Sequence, residues 1–146
     1  VARRVIAKPG LPRFTASTLL GGYGWLAVGG AILVARGELV AGPVYDAATH
    51  AVMLGFVFMM VFAHAPTILP AVLGVQLPFR RAFYAYVALF HAGLVACVAG
   101  DLAGIPSLRA WGAMTNAVAL LLFALASAAS VFATRKRRLR ARVTSP

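Results

Sequence analysis

Apolar residues in this chain run in long blocks broken by charges, and the intervals between charges set the elements. Four blocks are long enough for a hydrocarbon core roughly 30 Å thick, which takes about 20 residues of helix. They fall between Arg13 and Arg36 (14–35), Asp46 and Arg80 (47–79), Arg81 and Asp101 (82–100), and Arg109 and Arg135 (110–134). The second block exceeds one span and carries Pro66, Pro70 and Pro78. We therefore expect a helix over about 46–73, kinked or unwound near Ala65, then a short turn over Gly74 to Phe79. Lipid leaves no open-sheet alternative, because unpaired backbone groups find no water there. The pattern predicts an all-α, integral membrane four-helix bundle with short loops, one domain over 1–146. No internal repeat or second soluble domain is visible.

Composition agrees: 62% of the 146 residues are hydrophobic and 12% charged, with positive mean hydropathy, which a soluble domain of this length does not carry. Charge then orients the bundle. Of fourteen Lys and Arg, twelve fall on one side: Arg3, Arg4, Lys8 and Arg13, then Arg80 and Arg81, then six in the tail 135–146. Glu38, Asp46 and Asp101 fall on the other side with Arg36 and Arg109. By the positive-inside rule both termini are cytoplasmic, in a bacterial-type inner (plasma) membrane, and the first span reads as a retained helix rather than a signal peptide. The tail RKRRLRAR reads as an anchor for anionic lipid headgroups and not as a nucleic-acid patch. A single cysteine excludes an internal disulfide, and there is no buried acid pair, Ser-His-Asp set or phosphate loop. Catalysis by the chain alone is not expected.

Candidate chemistry rests on three histidines. His50 and His64, fourteen residues apart, return to within about 40° of one face of an α-helix and lie about 21 Å apart along its axis. His64 precedes the turn near Leu77 by thirteen residues and His91 follows it by fourteen, which predicts a matched depth on antiparallel neighbours. Two imidazoles at one depth in hydrocarbon are costly without a role, and facing pairs suit the axial positions of a haem iron. The Phe62 carbonyl, freed by Pro66, is an expected acceptor for a ring N–H.

The spacing His50-x13-His64 resembles that of the membrane cytochromes b, in which such a pair on one helix serves two stacked haems. The stretch His50 to Pro70 is also similar, more weakly, to the histidine-bearing helices of NnrS-type and haem-copper oxidase-type proteins. The cytochrome resemblance implies haem b with His64 and His91 as iron ligands, and His50 as a ligand toward a second site. Three histidines do not complete a second haem of that type. Cys97, Met114 and Asn116 lie near the depth of His50, with Met53 one turn further in, so His-Met haem ligation or a His-Cys-Met copper site can be drawn there. The simple alternative for His50, close to Asp46 and the outer interface, is that it is solvated or hydrogen-bonded.

Gly21, Gly22, Gly24, Gly29, Gly30, Gly55 and Gly93 permit close helix packing or access by a flat macrocycle. Met53, Met59, Met60, Phe56, Phe58, Phe62 and Phe90 are available to wall a cofactor or to fill the core. The readings carried forward are a haem b-binding subunit passing electrons within a respiratory or photosynthetic complex, a cofactor-free accessory subunit, and a copper-binding membrane protein. The expected partners are other membrane subunits of a redox complex, anionic lipids and quinone.

Overall fold

A computed structural model describes residues 9–37, 40–74 and 81–144, with the side chains of 73, 130, 131 and 133–144 left out. Arg3, Arg4, Lys8, Glu38, Arg80 and the side chains of the basic tail therefore lie outside the described residues, as does most of the turn expected over 74–79. Within that range the chain is all helical. Helix α1 is Leu11–Arg36. Helix α2 is continuous from Pro43 to Leu73 in three parts: α-helix Pro43–His50, π-helix Ala51–Val57 and α-helix Phe58–Leu73. Helix α3 is Ala82–Ala103 and α4 is Pro106–Thr144. Each contains a segment long and apolar enough to cross a membrane, so this is a multi-pass membrane protein.

The predicted spans stand with longer ends. Proline near the first position starts α1 and α2, where the missing N–H would have no helical partner in any case. The largest departure is inside α2. Helical geometry persists through Pro66 and Pro70, and the irregular stretch is Ala51–Val57, between the two histidines. Trp25 of α1 seats there, so that a Cβ on Gly55 would lie 2.4 Å from its Cβ. A π-helix turns through a smaller angle per residue than an α-helix and commonly marks a functional position.

Helix α1 packs along α2, the outer half of α2 packs on α3, and α3 pairs closely with α4. The main core is aromatic: Phe14, Phe62, Phe83, Phe90 and Phe123 gather around Met59, Val87 and Ala119. Phe62 meets Phe123 and Phe90 edge-on at centroid separations of 4.6 and 5.2 Å, a geometry that aligns ring edges with π faces. Of the proposed cofactor walls, Met59, Phe62 and Phe90 are therefore core filler, whereas Met53 is exposed.

The α3–α4 pair is built backbone to backbone. A Cβ on Gly93 would lie 2.4 Å from Asn116 Oδ1, one on Gly100 2.4 Å from the Arg109 N, and one on Gly112 2.4 Å from the Cys97 N. Small residues allow this approach, which supplies van der Waals contact where lipid removes the hydrophobic drive between helices. The connecting turn is set by Gly104 at φ 66°, with the Ile105 N–H donating to the Gly100 carbonyl at 2.8 Å. Arg109 is thereby brought back over the last turn of α3.

Candidate functional site

The tight turn and the glycine contacts assemble a polar cluster where α2, α3 and α4 meet. His50 ends the first part of α2, and its Nδ1 lies 3.1 Å from Asp101 Oδ2 and 3.7 Å from Cys97 Sγ. The side chain of Asp101 is fully buried, that of His50 27% exposed. Arg109 Nε lies 3.1 Å from Asp101 Oδ1, and its Nη2 lies 3.0 Å from Asp46 Oδ2. The ligand atoms of His50, Cys97 and Asp101 all fall within 4.8 Å of one another. Thus a continuous chain of charge and hydrogen bonding runs from His50 through Asp101 and Arg109 to Asp46.

Cys97 therefore joins His50 as expected. Met114 and Met53 do not, since both are more than half exposed on outer helix faces. Asn116 lies inward, packed beside Gly93, with both side-chain polar atoms buried and without hydrogen bonds. Asp101 differs from its expected position at the outer surface. It is buried because Gly100 and Gly112 draw α4 down onto its turn of α3. Its involvement was readable from its i+4 spacing to Cys97, which places the two on one helix face.

The structure does not bring His64 and His91 to a common centre. His64 is exposed, and its Nδ1–H donates to the Met60 carbonyl at 2.8 Å. That acceptor belongs to Met60, not to Phe62 as expected. Nε2 is then the free nitrogen, beside an apolar groove of about 370 Å³ lined by Met60, Val61, Ala65, Ile68 and Leu69. Every lining residue belongs to α2. His91 turns instead toward α1, where its Nδ1 accepts a hydrogen bond from Trp25 Nε1 at 2.9 Å, with the rings stacked 14° from parallel. This fixes the His91 proton on Nε2, which sits against Gly21, where a Cβ would be 2.9 Å away.

His50 turns inward to Asp101 whereas His64 is exposed, and the π stretch lies between them. Trp25 serves both His91 and Gly55, and the tryptophan went unrecognised because nothing local in the sequence pairs it with either. Removing its donor in Trp25→Phe should lower stability by about 1 kcal/mol. Nitrogen NMR of labelled histidine should show His91 shifting from a single Nε2–H tautomer to a mixture, and an unchanged tautomer would refute the bond.

The chain matches, over residues 1–132, a family described as Domain of unknown function (DUF8744). It belongs to that family. Comparison with curated proteins and with solved structures finds no match.

Proposed function

We propose that this family member is a small haem b-binding subunit of a membrane redox complex, with His64 as the residue that would hold the iron. The observation that supports the reading is the state of His64: one ring N–H held by a carbonyl, the other nitrogen free, at an apolar groove in the middle of a membrane helix. A metal-ligating histidine characteristically donates a hydrogen bond from its other ring N–H to such a carbonyl, which fixes both tautomer and ring orientation. An imidazole at a lipid-facing position without a role is costly. The groove lies within the size range of small-molecule and cofactor sites, and its apolar lining suits a macrocycle.

Haem would supply a one-electron carrier; His64 would hold it, and Met60, Val61, Ala65, Ile68 and Leu69 would line its site. His91, engaged by Trp25, does not offer its second nitrogen in this arrangement, so the partner ligand would come from a neighbouring subunit closing the groove. Electrons would then pass between that subunit and a quinone pool or another centre. The basic segments support a reading in which both termini would face the cytoplasm at a bacterial-type plasma membrane, with the tail on anionic lipid.

Purified from haem-replete membranes, the protein should give a reduced α-band and a positive pyridine haemochrome. His64→Leu should retain less than a tenth of that haem with helix content unchanged, while His91→Leu should retain most of it. A colourless preparation that haem does not reconstitute would refute the reading.

A second reading, a cofactor-free accessory subunit, draws on Gly24 and Gly30, which meet nothing within 4 Å on α1 and leave a stripe suited to an adjoining helix. The copper reading keeps His50 and Cys97 but loses both of its methionines.

A further inference from the structure

The geometry points to a binding site for a zinc-class divalent cation at His50, Cys97 and Asp101, separate from the groove at His64. Metal–ligand lengths of about 2.0–2.1 Å to nitrogen, 2.3 Å to sulfur and 2.0–2.2 Å to oxygen place tetrahedral donors roughly 3.4–3.6 Å apart. The separations here, 3.1 Å from His50 Nδ1 to Asp101 Oδ2 and 3.7 Å from the same nitrogen to Cys97 Sγ, bracket that range. A cation seated between them takes the place of the Nδ1 proton, which moves to Nε2, and the Cys97 and Asp101 ligand atoms, within 4.8 Å of each other, close around it.

Three further observations single out this cluster. Asp101 is fully buried, and its Oδ1 meets Arg109 Nε at 3.1 Å as an ion pair outside hydrogen-bond geometry, so the carboxylate is only partly compensated. The guanidinium of Arg109 engages Oδ1 and leaves Oδ2 facing His50, which is how a neighbouring group orients a ligating carboxylate. The partial exposure of His50 leaves a path for the cation and room for water in the fourth position.

Charge also closes. A coordinating thiol is deprotonated, its proton passing to solvent. Asp46, Asp101 and the Cys97 thiolate then carry three negative charges, against three positive from Arg109 and a divalent ion. The loaded cluster is neutral. Mixed nitrogen, sulfur and oxygen donors suit zinc-class ions better than magnesium or calcium, which take oxygen.

The test uses the full chain, without an affinity tag, in detergent, titrated with Co²⁺ and then displaced by Zn²⁺. One Co²⁺ per chain should bind, with thiolate charge-transfer absorption and the intense visible bands of a tetrahedral ion. Cys97→Ala should abolish the charge-transfer band and weaken Zn²⁺ at least tenfold, with helix content checked by circular dichroism. His50→Gln, at a partly exposed position, should weaken Zn²⁺ comparably, and His64→Leu should change neither signal. Absence of the thiolate band in the folded wild type overturns the site. So does wild-type Zn²⁺ affinity in either Cys97→Ala or His50→Gln.

Discussion

Gly112→Leu is expected to disable the α3–α4 half of the bundle, with a loss of more than about 3 kcal/mol, beyond the usual upper range for over-packing. The reason is the identity of the atoms it would strike. A Cβ at 112 falls 2.4 Å from the Cys97 N, 2.6 Å from the Gly93 carbonyl oxygen and 2.8 Å from the Cys97 Cα. These are backbone atoms of a helix, with no rotamer through which to escape. Relief requires α3 and α4 to separate, which also dissolves the contacts at Gly93 and Gly100 and the position of Arg109. Gly24→Leu is the matched control, because nothing lies within 4 Å of that position. It changes the same residue types on a membrane helix without a collision. Thermal unfolding in detergent, followed by circular dichroism, should separate the two variants widely, and equal midpoints would refute the close crossing.

Loss of Arg109 should be the most damaging single change among the charged residues. Arg109→Leu leaves Asp101 buried with its carboxylate facing only His50, and removing one partner of a buried pair costs about 3–5 kcal/mol. With the arginine side chain 43% exposed, the lower end, about 3 kcal/mol, applies. Asp101→Asn should be milder because no buried charge is stranded. Combined with Arg109→Leu it should restore part of the loss, which gives the double-mutant cycle a favourable coupling. Asp46→Asn, at a carboxylate 35% exposed, should cost under about 1 kcal/mol. Denaturant unfolding of the four variants should follow that order. An Arg109→Leu protein as stable as Asp46→Asn would contradict the central position given to Asp101.

The bundle was legible because bilayer thickness and backbone satisfaction leave an apolar run between charges few other fates. Element ends shifted by a few residues, but each span formed where the charges placed it. The site was less legible, for reasons traceable to single residues. Asp101 stood at the end of a span and read as an interfacial acid; its burial depends on Gly100, Gly104 and Gly112, three positions whose joint effect is a tertiary contact. His91 matched His64 in sequence distance from the turn, but depth alone says nothing of rotation about the helix axis, and Trp25 supplies the closer partner. The face shared by His50 and His64 was calculated at an α-helical angle per residue. The sequence AVMLGFV carries no mark that this angle fails there, apart from a glycine whose neighbour lies on another helix.

That π-helical stretch makes α2 two instruments on one shaft. Had the helix stayed α throughout, His50 and His64 would point within about 40° of one direction. The looser turns between them act as a phase shifter, so that one end of the rod serves an inward-facing charged cluster while the other addresses a surface open to a neighbour. Two histidines on a single membrane crossing thereby meet different surroundings.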